Sequence, residues 1–314
     1  MTEILTITFP IYAAISIGYL VVHRGWFSAA DMRGFGRYVL NIALPALLFE
    51  AVASRDLGAV FVPGYVLAYG LGGLATILVA FLWFSVTAPD RPRRAIAVMG
   101  SSCPNSGFIG YPLILLSFPD LAGPVLAMNM MVELLVLIPV CLILVDMAGG
   151  EAQTPVARRI LGNLLGVLRR PMVIGLLLGL AVSALQLPLP RALDTLSGMI
   201  AASASALSLI VIGGSLVGVA MRGNRALAGQ IAGAKLLLHP ALVFLVLTAL
   251  PMFGIAPLSS ELFAALILSA AISMFGIYTV LAQENGLEGL ASIAMLITTG
   301  AAFVTLSLLL LVLT

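Results

Sequence analysis

Charge is what this sequence has least of. Lys, Arg, Asp and Glu make up 9% of its 314 residues, where a soluble domain carries about 25%. With 61% hydrophobic residues, the chain cannot cover a water-facing surface with polar groups, so it belongs in a bilayer. The net charge of +2 is too small for a nucleic-acid binder, and no basic run with interleaved aromatics occurs. The two cysteines, Cys103 and Cys141, lie in apolar segments and read as small packing residues, not as a disulfide framework. The two histidines and the scattered acids show no metal-ligand spacing, so neither a metal nor a cofactor is expected. No HExxH, GxSxG, paired-aspartate signature or P-loop is found, which argues against an intramembrane enzyme and against primary active transport. The N-terminus, MTEILTITFPIYAAISIGYL, has no basic n-region and carries Glu3, so it is expected to be a retained first span.

What the chain has instead is long apolar runs. A membrane helix needs about 20 mostly apolar residues. That ruler marks ten candidate spans, roughly 4–22, 35–53, 62–86, 95–118, 122–146, 171–187, 193–220, 230–250, 260–283 and 289–313. Basic residues fall on one set of alternate loops: Arg24, Arg33, Arg37, Arg91, Arg93, Arg94, Arg158, Arg159, Arg169, Arg170, Arg222, Arg225 and Lys235, against Arg55 and Arg191 on the other. Cytoplasmic loops are enriched in Lys and Arg, so both termini are expected outside a bacterial cytoplasmic (inner) membrane. The run TPVARRILGNLLGVLRR is expected to form a short amphipathic helix at the inner interface, with Thr154 as cap and Pro155 in its first turn.

The longest non-spanning stretch divides the chain into two sets of five spans: 1–150 and 171–314, joined by a short loop over 151–170. Five is odd, so the second set enters the membrane in the opposite sense. Inverted repeats of this kind are typical of secondary transporters. The expected fold is therefore an all-α integral membrane protein of ten helices in two inverted five-helix repeats. Span 4 carries GSSCPNSGFIGYPL, with Ser101, Ser102, Pro104, Asn105, Ser106 and Gly107 clustered; span 9, its counterpart, reads LSAAISMFGIYTVLAQENG. Pro104 breaks the helical ladder, and free backbone groups at membrane depth survive only inside protein or beside water. If both spans are interrupted, half-helix N-termini meet at the midplane and offer amides and partial positive charge to an anion. No basic residue is expected at that depth, so dipoles would hold the anion.

Glu133, near the centre of span 5, stands out further, because intramembrane acids are expensive and functional by default. Asn129 lies four residues earlier on the same helix face. Glu133 could carry a proton, or could be a protonated acid hydrogen-bonded to a neighbouring helix. Asn41 in span 2 could face the site or bond between helices. In span 9, Ser273 and Gly276 could allow a break, and Tyr278 is the favoured contact over Gln283. Lys235 is expected to snorkel to the interface, and His239 to pack between helices.

NIALPALLFEAVA in span 2, PNSGFIGYPLI in span 4 and AKLLLHPALVF in span 8 resemble the auxin efflux carrier family of bacterial and plant transporters. The resemblance implies a sodium/proton antiporter-like fold of elevator type, with crossed, broken spans 4 and 9. It implies a scaffold from spans 1, 2, 6 and 7, a transport domain from spans 3–5 and 8–10, and a homodimer formed through the scaffold. The expected function is secondary transport of a small organic anion, auxin- or malonate-like, across a lipid membrane. Substrate contacts are expected from Asn41, Ser102, Pro104, Asn105, Ser106, Asn129, Glu133, Ser273, Gly276 and Tyr278, and proton or sodium coupling from Glu133 and Asn105. Two features depart from the family: the loop between spans 5 and 6 is short, unlike that of plant members, and span 9 lacks the usual proline. The alternative is a sodium-coupled carrier of the bile-acid type, with oxygens from Ser101, Asn105, Glu133, Thr298 and Thr299.

Overall fold

The computed structural model describes residues 2–53, 61–148, 166, 169–218, 224–276, 278–283 and 285–313. The interfacial helix expected over 155–170 falls mostly outside the described residues. The described residues are helical and contain no β-strand. The helices are α1 (Thr2–His23), α2 (Ala29–Ala53), α3 (Pro63–Thr87), α4 (Arg91–Ser102), α5 (Ser106–Ser117), α6 (Pro119–Ala148), α7 (Pro171–Ala184), α8 (Arg191–Ser215), α9 (Arg225–Phe253), α10 (Ser260–Ala271), α11 (Tyr278–Gln283) and α12 (Glu288–Leu313). Among the described residues seven helices are long and apolar enough to cross a membrane: α1, α2, α3, α6, α8, α9 and α12. Large apolar side chains such as Phe9, Leu82, Val86, Leu178, Met199, Leu245 and Val312 stand exposed on these and on α7, as lipid requires and water would penalise.

The chain forms two compact units. The first comprises residues 1–62, 106–130 and 166–218. Here glycine sets the helix spacing. A Cβ on Gly18 of α1 would run into the Ile210 carbonyl of α8, and one on Gly213 of α8 into the Ile15 carbonyl of α1. Gly175 and Gly179 of α7, one GxxxG pair, lie in the same way on the Pro45 and Phe49 carbonyls of α2. Lipid tails are as apolar as leucine, so close backbone approach of this kind drives helix association in membranes.

The second unit comprises residues 63–105, 131–165 and 219–314. In α3, Gly72 accepts the flank of Val243 from α9, and Gly73 lies under Leu137 of α6; an added Cβ would come within 2.7 Å of either side chain. Residues 264–271 of α10 are buried as an unbroken run, and α12 packs on both α9 and α10. Residues 264–271 of α10 are therefore enclosed by protein on all sides.

Four helices contain one widened turn: Val39–Ala43 in α2, Ser106–Gly110 at the start of α5, Glu133–Leu137 in α6 and Ala234–Leu238 in α9. In three of them the closing bond runs from residue i+5 back to residue i, namely Leu44 N to Val39 O, Ile138 N to Glu133 O and His239 N to Ala234 O. Each turn ends two residues before a proline: Pro45, Pro112, Pro139 and Pro240. Proline has no N–H to donate, and its ring pushes against the carbonyl four residues back; widening the preceding turn relieves that clash. The carbonyl four residues before Pro112 is that of Phe108, and it takes a bond from the Ser208 hydroxyl at 3.0 Å. A released backbone acceptor is thus satisfied inside the first unit.

Candidate functional site

α4 starts on Asp90, whose side chain accepts from Arg93 N at 2.8 Å. It ends where Ser101 and Ser102 turn their hydroxyls back onto Ala97 O and Val98 O, both at 2.8 Å. Cys103 N makes the last helical bond, to Met99 O, and the chain then extends, with Cys103 at φ −100° and ψ 105°. α10 ends in the same manner: Ile272 is extended at φ −72° and ψ 165°. The two extended segments form one antiparallel bridge, Pro104 opposite Met274. Asn105 N donates to Ser273 O at 2.9 Å and Phe275 N donates to Cys103 O at 3.1 Å. Neither bond uses the nitrogen of Pro104 or Met274, so a proline is tolerated at one crossing position and none is needed at the other. Span 9 is interrupted without the proline that the resemblance led us to expect.

The bridge also revises the expected electrostatics. Within the second unit, α4 and α10 reach it by their C-terminal ends, which carry unbonded carbonyls and partial negative charge. The amides of Asn105 and Phe275 are engaged in the bridge itself. A basic residue answers the carbonyls. Lys235, expected to snorkel to the interface, is fully buried instead. Its ammonium donates to Ala270 O of α10 at 2.6 Å and lies 2.9 Å from His239 Nδ1. Held as an ammonium, Lys235 can only donate, which would make His239 Nδ1 the acceptor and leave its proton on Nε2. A basic residue therefore lies at the break, where the sequence had led us to expect none: a helix-end carbonyl and an imidazole nitrogen hold the Lys235 amine there.

Glu133 is buried, and its Oε1 accepts from the Tyr69 hydroxyl of α3 at 2.7 Å. Tyr69 stands between two further rings, with centroids 6.3 Å from Tyr65 and 6.3 Å from His239. The Tyr65 hydroxyl donates to Ser269 Oγ at 3.5 Å. Tyr65, Tyr69, Glu133, Lys235, His239 and Ser269 thus form a polar interior in the second unit. Cys103 and Cys141 meet beside it as free thiols, their sulfurs 3.7 Å apart.

Some buried polar atoms here have no hydrogen-bond partner among the described residues: Ser273 Oγ, Tyr278 OH, Thr299 Oγ1 and His239 Nε2. Such groups are costly to leave unmade and point to an unfilled polar position. Tyr278 opens α11 and lies over the break in α4, because a Cβ on Gly100 would come within 2.8 Å of its hydroxyl and Cζ.

The residues expected from sequence divide as follows. Ser102, Pro104, Asn105, Glu133, Ser273, Gly276 and Tyr278 lie in the second unit; all but the exposed Gly276 are buried. Asn41, Ser106 and Asn129 lie in the first unit. Asn41 is exposed, and its Nδ2 donates to Arg37 O of its own helix at 2.9 Å. Ser106 and Asn129 are buried. Sequence reasoning missed Tyr65, Tyr69 and Ser269 and misplaced Lys235. The available signal was the pairing of Tyr65 with Tyr69 and of Lys235 with His239, each four apart and so on one helix face. Among the described residues, no three His, Cys, Asp or Glu side chains gather as a metal set.

A family model described as "Membrane transport protein" matches residues 3–310. A protein of Rhizobium meliloti (strain 1021) named "Putative malonate transporter" is 26% identical over 257 residues, 79% of this chain and 78% of that protein. An "Uncharacterized transporter" of Methanothermobacter thermautotrophicus is 25% identical over 300 residues, covering 94% of this chain and 93% of that protein.

Proposed function

Because the chain belongs to this membrane transport family, the auxin efflux carriers, we propose that it is a secondary transporter of a small organic anion and that the second unit holds the substrate. The observation that carries this reading is the Pro104–Met274 bridge, with the unpartnered Ser273 and Tyr278 hydroxyls of the same segment. Two interrupted helices at one point are the usual architecture of a transporter site. Buried hydroxyls, an imidazole N–H and a lysine favour a ligand with oxygen acceptors and negative charge. The name of the Rhizobium relative makes malonate the first acid to try.

In this reading the seven long helices, together with α4 and α5, α7, and α10 and α11, make ten spans in two inverted sets of five. The division into two units supports a scaffold and a transport part. It differs from the expected one in grouping residues 106–130 with the first unit. The second unit would carry the anion by an elevator movement, with the scaffold forming a homodimer. Basic loops favour both termini outside the bacterial inner membrane.

The test is thermal unfolding of the purified protein against a panel of small carboxylic acids, malonate and aromatic acids among them. A ligand of the folded state raises the midpoint by mass action, about 2.7 kcal/mol at a hundred times its dissociation constant. A saturable shift with at least one acid is expected, and its loss in Ser273→Ala or Tyr278→Phe. Shifts confined to neutral or cationic compounds would overturn the reading.

A further inference from the structure

We propose that Lys235 is a tethered coupling cation: its ammonium occupies the position that a free sodium ion would have to fill, so this carrier runs without one. The inference rests on the transport reading above and concerns the ion that accompanies the substrate. Ending a helix inside protein leaves its last carbonyls without partners and about half a negative charge at that end. α10 ends in this way at Ala271, within a fully buried stretch. A positive, oxygen-seeking group set against that end is stabilised by it, and such a group can be of two kinds. One is a monovalent metal ion bound by carbonyl and hydroxyl oxygens. The other is an ammonium on a side chain.

The structure holds the second. Lys235 Nζ reaches Ala270 O at 2.6 Å, the short distance of a charge-assisted hydrogen bond. Its neighbour on the other side is a nitrogen acceptor, His239 Nδ1, at 2.9 Å. Glu133, bonded to the Tyr69 hydroxyl, is a buried acid of the same unit. The widened turn over Ala234–Leu238 sets Lys235 in this position, and Pro240 enforces the turn. The lysine cannot leave as an ion does. The charge that a sodium-coupled carrier takes up and releases in each cycle is here built into the chain.

The experiment is thermal unfolding of the full-length protein in choline, sodium, lithium and potassium chloride at equal ionic strength, without any acid. The wild type should melt at the same temperature in all four. A saturable stabilisation by sodium over choline would overturn the proposal and needs no variant. Lys235→Ala should be destabilised in choline and recover in a saturable manner with sodium or methylammonium, since the vacated position is then open to a free cation. Lys235→Met, which keeps the volume of the stem, provides the same reading if the alanine variant does not fold. A folded Lys235 variant that is indifferent to every small cation would overturn the proposal. Because no acid is present, failure here leaves the organic-anion reading standing, and failure of the acid panel leaves this result intact.

Discussion

Removing the Tyr69 hydroxyl reads the charge on Glu133. Tyr69→Phe deletes one oxygen and keeps the ring between Tyr65 and His239, so packing changes little. The bond lost is the 2.7 Å contact to Glu133 Oε1. A hydrogen bond to a charged group contributes about 1.5–3 kcal/mol and one between neutral groups about 0.5–1.5 kcal/mol. Glu133→Gln keeps an acceptor oxygen but abolishes the charge. If Glu133 is a carboxylate balanced by Lys235, Tyr69→Phe costs about 2 kcal/mol in the wild type and about 1 kcal/mol in the Glu133→Gln background. The double-mutant cycle then shows a coupling of about 1 kcal/mol, above the scatter of roughly 0.3–0.5 kcal/mol found for independent sites. Reversible denaturant unfolding in one detergent at neutral pH provides the four stabilities. A coupling within that scatter would refute the carboxylate–ammonium arrangement and leave Glu133 as a neutral hydrogen-bonding group.

Gly100→Ala places a methyl within 2.8 Å of the Tyr278 hydroxyl; it should cost about 1–3 kcal/mol in unfolding free energy, and Tyr278→Phe should recover part of that. Tyr278→Phe alone should leave stability unchanged or raised, since it removes an unmade hydroxyl, while acid-induced thermal shifts weaken. Gly179→Leu drives a side chain into the Phe49 carbonyl, 2.8 Å from where its Cβ would lie; a lowered melting midpoint and loss of folded yield should follow, and normal stability would contradict the close packing of α7 on α2. A cysteine at Thr2 should react with an impermeant thiol reagent added from outside intact cells, and one at Arg91 should not; the reverse pattern would overturn the orientation.

The membrane class was legible because it depends on composition and run length, both local quantities. The break in α4 was legible as well, since Pro104 and the hydroxyls of Ser101 and Ser102 act on their own helix. The break in α10 rests on distant partners: Asn105 N bonds Ser273 O, Cys103 O accepts from Phe275 N and Lys235 Nζ bonds Ala270 O, and within span 9 only Ser273 and Gly276 hinted at it. Lys235 was misread for the same reason. Its position in sequence is near a helix start, and only the carbonyl of Ala270, which lies elsewhere in the chain, shows that it turns inward. The four widened turns lay in the sequence as prolines two residues downstream, a pattern visible once the turns are known. Three of the four turns contain Asn41, Ser106 or Glu133, all singled out from sequence, and the fourth contains Lys235.

The Pro104–Met274 bridge joins parts of the chain more than half its length apart. During synthesis the first segment enters the bilayer long before its partner exists. Until Ser273 arrives, the amide of Asn105 has no strand to pair with and must borrow water or lipid headgroups, an expensive state at membrane depth. Lys235 likewise precedes Ala270 and has to wait for it. The polar interior is therefore among the last parts of the molecule to assemble, and nascent chains that stop short of α10 expose it to the insertion and quality-control machinery. Mutations that weaken the bridge should show first as lost protein in the membrane, before any loss of turnover per molecule.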